Sequence, residues 1–269
     1  MMRVGLDYQC AAGRCVLSMA RPQHRMVTTV DISVGAQSFA VREDAFAAFW
    51  ARVAAGDWEP DSFAVIDRLV APGTTFIDIG AWIGPLTLYT ASVAGTVHAI
   101  EPDPAARAVL RANIELNPWL AERVRVHAVA IGDRTGPGRL GNITSARGGD
   151  SMSSLLYADA PVSWEVDCTT LDRFLMAVDG PVPSLIKIDT EGTEVELLDA
   201  ARDWLAATRP PLLLSVHARF WPDPYPRLTR LVDLLSSYQQ LLTPWLSPID
   251  PRTLLDDEHA HGMFELVAL

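Results

Sequence analysis

From residue 75 onward the chain repeats one pattern: a short apolar run, a turn, then a stretch whose apolar residues recur every three or four positions. Short apolar runs bounded by turn residues are the signature of buried strands, and three-to-four spacing is that of amphipathic helices. Strands are predicted at 75–79, 97–100, 124–129, 185–188 and 212–216, with helices at 85–94, 104–116, 194–207 and 225–236. Such alternation predicts an α/β fold, a doubly wound and mostly parallel sheet with helices on both faces.

The flanks read differently. Residues 1–72 are expected to form an N-terminal arm, with short strands up to about residue 41 and a helix over 43–55 carrying Phe46, Phe49, Trp50 and Val53 on one side. Gly56 stops that helix, and Pro60 opens another over 60–69. Residues 73–269 are the main domain. Within it, 131–183 breaks the alternation and is treated as an insert, containing Gly136-Pro137-Gly138, a polar run over 147–154 and a strand-like 164–169. An interval that long between two core strands is more often functional than idle. At the far end, 238–243 and 263–269 are expected to form a closing antiparallel hairpin or two edge strands joined by a polar loop.

Charge narrows the partners. The 269 residues carry 22 basic and 33 acidic side chains, a net charge of −11. Binding through phosphates needs clustered Lys and Arg, so a nucleic-acid partner is not expected. No apolar run approaches the ~20 residues of a membrane span, and no secretory leader is visible. A cytoplasmic protein without a membrane partner is expected, acting on a small molecule and with homo-oligomer formation left open. Cys10, Cys15 and Cys168 form a sparse, odd set without metal or redox spacing.

The chemistry concentrates in Thr75-Phe76-Ile77-Asp78-Ile79-Gly80-Ala81-Trp82-Ile83-Gly84-Pro85, a strand that ends in a glycine turn and leads into a helix opened by Pro85. Gly80 lets the backbone turn and a ligand approach main-chain amides, while Gly84 admits close helix–strand packing. The spacing is D-x-G-x-x-x-G, without the extra glycine that admits a pyrophosphate in G-x-G-x-x-G enzymes. Glu101 ends the next strand about twenty residues later, where an acid accepts hydrogen bonds from ribose hydroxyls.

FIDIGAWIG, HAIEPDP, the asparagine of Glu115-Leu116-Asn117, AVAIGD at 128–133, the serine-rich 151–155, TTLDRF at 169–174 and LIKIDTEGTE at 185–194 occur together in this order. Together they resemble the FkbM family of methyltransferases, over roughly residues 73–217. The resemblance implies a class I methyltransferase (Rossmann-like) sheet, S-adenosyl-L-methionine as donor, and O-methylation of a natural product, sugar or other small hydroxyl compound. It implies that Asp78, Gly80, Ala81, Trp82 and Gly84 meet the methionine half and ribose through the turn. It likewise implies that Glu101 holds the ribose hydroxyls, and that Val129, with Asp133 nearby, flanks the adenine. Trp82 and Ser215 depart from residues common in the family, an asparagine and an acid.

Along the strand at 185–188 residues alternate faces, so Lys187 and Asp189 share one. Asp189 lies at the carboxyl end, over the crevice where open α/β sheets bind ligands. Lys187 is the chain's only lysine beside 21 arginines. A lysine in a core strand needs a counter-charge, here Asp189, Glu191 or a bound carboxylate. Glu194 is expected to cap the following helix. His217 ends the adjacent strand and is by residue type the best-placed general base, with Asp189 as the alternative. A divalent ion on Asp189 and Glu191 lacks a third ligand in the sequence, so no metal is assigned. Trp58, Glu59, Ser151 and Ser154 are expected to contact the acceptor, together with Glu191.

Other functions compatible with the pocket are an N-methyltransferase and a non-catalytic nucleoside binder. A nicotinamide oxidoreductase is disfavoured by the missing glycine and by the absence of a Tyr-x-x-x-Lys pair.

Overall fold

The computed structural model describes residues 6–11, 14–19, 28–43, 46–145, 147–178 and 180–269. Of the strands predicted before residue 28, only the backbone hairpin of β1 (Leu6–Ala11) and β2 (Arg14–Met19) falls within the described residues. A second hairpin pairs β3 (Thr29–Val34) with β4 (Gln37–Arg42) around a turn at Gly35. Helix α1 (Ala47–Ala55) stops at Gly56, whose φ of 75° is the left-handed cap that glycine adopts without strain. Helix α2 (Pro60–Leu69) begins at its proline.

The main chain then runs β5 (Thr75–Ile79), α3 (Pro85–Ala91), β6 (Thr96–Ile100), α4 (Pro104–Glu115), α5 (Pro118–Ala121) and β7 (Val124–His127). The insert follows with β8 (Ala130–Ile131), β9 (Gly136–Asn142), β10 (Ser153–Ser154) and β11 (Val162–Thr169). Then come α6 (Leu171–Ala177), β12 (Leu185–Ile188), α7 (Glu194–Ala200), α8 (Arg202–Thr208), β13 (Leu212–Val216), α9 (Pro224–Leu235), β14 (Leu241–Leu242) and β15 (Phe264–Ala268).

Seven strands form the central sheet in the order β14-β15-β13-β12-β5-β6-β7. All its pairings are parallel except those of β15, which runs antiparallel to both neighbours. Burial on both faces explains why the inner strands are apolar apart from Asp78, His98, Lys187 and Ser215 and the threonines at the start of β5 and β6. Phe76 and Val97 face one core, shared with α3, α4 and the N-terminal elements, whereas Ile77, Ile186, Leu212 and Leu214 face the other, shared with α7 to α9. The arm is therefore packed into the first core. Asn117 joins it there, accepting from Ala40 N and donating to Ala40 O at 2.8 and 2.7 Å.

Three expectations change. The strand predicted over 124–129 ends at His127, because the chain then leaves the main sheet and Ala130–Ile131 pairs with β11. The helix over 194–207 divides at Ala201. The insert is a four-stranded sheet of its own, ordered β10-β9-β11-β8. Its glycines hide that from a propensity reading, yet they permit it: a Cβ on Gly138 would stand 2.3 Å from Cys168 Sγ, and one on Gly141 1.6 Å from Tyr157 O.

The chain moves outward from β5 to β7, returns through the insert, and continues from β12 in the opposite direction. The reversal between β5 and β12 is the topological switch point, where such sheets open a ligand crevice at their carboxyl ends.

Candidate functional site

A cavity of about 780 Å³ lies at that crevice, within the size of pockets that take drug-sized ligands, roughly 300–1,000 Å³. Asp78, Gly80, Ala81, Trp82, Glu101, Lys187, Asp189, Glu191 and His217 all line it, as do Trp58, Glu59, Ser151 and Ser154.

One half is made of backbone and apolar wall. Gly80 turns with φ 82°, and a Cβ there would stand 1.9 Å from Asp189 O, so the β5 and β12 ends close to a distance that only glycine allows. Glu101 is 6% exposed; one carboxylate oxygen accepts from Trp82 N at 2.8 Å and the other from Asp103 N at 2.7 Å. Burial pushes its pKa up to about 7 against those two hydrogen bonds. Beside it, Ile100, Pro102, Ala130, Ile131, Leu140 and Leu155 form an apolar slot. Trp82, itself left-handed with φ 48°, donates its indole N–H to Gly149 O at 3.0 Å. Asp103 caps α4 with one oxygen and with the other accepts from Gly149 N and Ser153 Oγ at 2.7 and 2.8 Å. The serine-rich segment is thus stitched down over the turn.

The other half is made of buried charge. Lys187 is 4% exposed, and its Nζ lies 3.0 Å from Asp189 Oδ2, 3.1 Å from Gly80 O and 3.8 Å from Asp78 Oδ1. Burial alone would lower its pKa; the charges of Asp189, Asp78 and Glu59 outweigh that and hold it above its ordinary value. Asp189 is held below its usual range, since Lys187 and His217 overcome the opposite pull of burial. Asp78, wholly enclosed, is raised by burial despite Lys187 and the Thr87 hydroxyl at 2.5 Å.

His217 stands among three carboxylates. Its Nδ1 is 3.0 Å from Glu194 Oε1, and its Nε2 is 3.6 Å from Asp189 Oδ1 and 3.4 Å from Glu191 Oε2. Phe220 stacks on the ring with an interplanar angle of 3°. Burial lowers the imidazole pKa, but the Glu194 hydrogen bond and the three negative charges win and push it up to about 9. The histidine expected as general base is thus an imidazole set among carboxylates that favour its charged form. Glu191 beside it is pushed up to about 7 by burial and by Asp189. Its backbone is left-handed at φ 55°, an unusual conformation for a glutamate, which functional sites accept at a cost of about 1–3 kcal/mol.

Several site residues serve structure. Glu194, expected as a helix cap, instead accepts from Thr190 N and Gly192 N at 3.2 and 2.9 Å, bracing the 189–192 turn as well as His217. Ser154 donates to Thr190 O and accepts from Leu156 N, so its hydroxyl is committed within the chain. Gly84, Val129 and Asp133 do not line the cavity. Gly84 lies against Leu110 of α4, where a Cβ would stand 2.5 Å away, so its close contact is with a helix and not a strand. Val129 packs into the second core, and Asp133 faces outward, pairing with Arg134 at 3.1 Å.

Two acids in the cavity escaped sequence reasoning. Glu265 of β15 receives the Ser215 hydroxyl at 3.3 Å and lies near Ser62 Oγ at 3.3 Å; burial, Asp61 and Asp189 push its pKa up to about 7. Asp61 lines the same wall. A lone acid within the apolar run 264–268 was the available signal. Glu59, at the start of α2 with φ 40°, makes no side-chain cap; burial and Asp189 push it up to about 8.

The strand order and the position of the crevice define a class I methyltransferase fold. Residues 78–240, more than half of the chain, match the family model of the methyltransferase FkbM domain, and the chain belongs to that family. Among solved structures it is similar to methyltransferase FkbM from Methylobacillus flagellatus, with 19% identity, 85% of this chain and 56% of that chain covered, and a TM-score of 0.45. It is also similar to a precorrin-6y C5,15-methyltransferase from Geobacter metallireducens (16%, 77% and 85%, 0.39) and to a SAM-dependent O-methyltransferase from Thermotoga maritima (13%, 78% and 64%, 0.43). The chain thus spans little more than half the length of the first of these, and at such values the likenesses say nothing of what it acts on. No curated protein matches it significantly. No helix among the described residues is long and apolar enough to cross a membrane.

Proposed function

We propose that the protein transfers a methyl group from S-adenosyl-L-methionine to a hydroxyl of a small molecule. The observation that carries this is the meeting, in one cavity, of the Gly80–Trp82 turn and the buried Glu101 carboxylate at the ends of neighbouring strands β5 and β6. The residues fit the donor. Glu101 suits a ribose diol, the slot formed by Ile100, Ile131 and Leu155 suits an adenine, and the surplus of carboxylates at Asp78, Asp189 and Glu191 suits a cationic sulfur.

When bound, the donor supplies an electrophilic methyl carbon, which the acceptor oxygen takes as the carbon–sulfur bond breaks. The chain's own task is alignment, with proximity supplying on the order of 7–11 kcal/mol in favourable systems. It must also accept the hydroxyl proton. Glu191 is matched to that at neutral pH, with His217 orienting it and Lys187 fixing Asp189 beside it. Trp58, Glu59, Asp61 and Glu265 line the acceptor side, polar groups suited to a hydroxylated compound.

Calorimetry with S-adenosylmethionine, its demethylated product and NAD tests the pocket, and labelled-methyl transfer to a panel of alcohols and amines tests the reaction. Donor binding with transfer to alcohols is expected. Binding of NAD alone sinks the proposal, and transfer confined to amines replaces its second half. Glu191→Gln should lower turnover by roughly 10²–10⁴, a far larger effect than on donor affinity.

A further inference from the structure

We propose that Asp189, Glu191 and His217 form a binding site for one first-row divalent cation of the Mn²⁺ or Zn²⁺ class. One ligand atom from each residue lies within 4.8 Å of the other two. The separations of His217 Nε2 from Glu191 Oε2, 3.4 Å, and from Asp189 Oδ1, 3.6 Å, are close to the edge of a tetrahedron with bonds of about 2.1 Å, which is about 3.4 Å. The third ligand that the sequence did not offer is thus the histidine of the neighbouring strand.

The atoms aimed at the gap lack other partners. His217 is 6% exposed, and its Nε2 makes no hydrogen bond to any described residue. Asp189 Oδ1 is enclosed and without a hydrogen bond, while Oδ2 is occupied by Lys187. Each ligand is held from behind as metal ligands are. Glu194 fixes the imidazole through Nδ1, the carboxylate–histidine arrangement that sets tautomer and raises ligand basicity; Lys187 fixes Asp189; and the left-handed turn fixes Glu191. Charge points the same way. Asp78 and Asp189 face Lys187 while Glu191 and Glu194 face His217, four carboxyls around one ammonium and one imidazole, an excess of acid that a divalent ion offsets. Two carboxylates and one imidazole suit Mn²⁺ or Zn²⁺ better than Ca²⁺.

Three protein ligands leave positions open at the cavity. An acceptor hydroxyl bound there would lose its proton to water more readily, so the ion takes over the task given above to Glu191. That role rests on the methyl-transfer proposal; the site itself does not.

The test uses the full chain, treated with a chelator and titrated with Mn²⁺ while its electron-spin signal and the melting temperature are followed. One saturable ion per chain is expected, with a rise in melting temperature. Glu191→Gln and His217→Ala should each abolish saturation. Glu194→Gln, which alters the support behind the ring and the 189–192 turn and no ligand atom, should weaken binding roughly 10–100-fold. Circular dichroism identifies any variant that fails to fold, and Glu191→Gln keeps the assay decisive if His217→Ala does. No saturable binding of Mn²⁺ or Zn²⁺, or unchanged binding in folded Glu191→Gln, overturns the site. Donor calorimetry and transfer assays run in chelator separate the two ideas: donor binding and transfer that persist there remove the ion's role in the reaction and keep the methyltransferase, whereas ion binding without donor binding keeps the site and removes the methyltransferase.

Discussion

The two halves of the cavity are built from different materials. Around Gly80, Trp82 and Glu101 the groups are main-chain amides, apolar walls and one carboxylate already satisfied by two N–H donors. Around Lys187, Asp189, Glu191 and His217 they are buried charges, several without a full complement of hydrogen bonds. Shape recognition tolerates low polarity, because backbone dipoles are fixed and already paired. Proton and methyl chemistry needs charges whose partners are incomplete, and the fold carries that cost where two strands end side by side.

If the first half works by backbone shape, Gly80→Ala should be the most damaging change. The added Cβ meets the Asp189 carbonyl, and φ is positive, so donor binding should vanish and unfolding free energy drop by about 2–5 kcal/mol. A variant that binds donor normally in calorimetry would break the distinction. On the charged side, Lys187→Met leaves Asp78 and Asp189 without their shared cation, and denaturant unfolding should reveal a loss of about 3–5 kcal/mol. A loss near zero would mean these carboxyls are neutral in the fold. Glu101→Gln should cost the donor about 1.5–3 kcal/mol, roughly 10–100-fold in affinity, with the melting temperature little changed.

The smallest effect concerns pH. A carboxyl whose folded pKa exceeds its unfolded value binds more protons in the folded chain between the two, so stability is lost as pH rises through that window. Glu59 rises from 4.5 to about 8 and Glu265 from 4.5 to about 7. The melting temperature should therefore fall across that interval, and Glu59→Gln should flatten the upper part of the decline. A profile that rises instead would place these acids in solvent.

Legibility in the sequence followed burial. Strands β5, β12 and β13 sit at the predicted positions because sequestration on both faces requires a mostly apolar run. The glycine turn and Glu101 were legible because their spacing is local, and Lys187 because one ammonium in a core strand demands counter-charges. What was hidden is long-range. The sheet of the insert depends on close approaches at Gly138 and Gly141, which look like loop residues in isolation. Glu265 enters the cavity only because β15 inserts beside β13, a pairing across about fifty residues. Glu194, Glu191 and Asp189 stand on three sides of His217, an environment that residue type alone does not reveal.

The enclosure of Lys187 also decides how the folded protein meets its chemical surroundings. Its ammonium is the only side-chain amine in the chain, and it lies beneath the carbonyl of Gly80. Acylating reagents, and enzymes that acetylate or conjugate lysines, accordingly find no side-chain target on the native surface. Mass gained at that position would act as a clock, ticking only when the strand ends part.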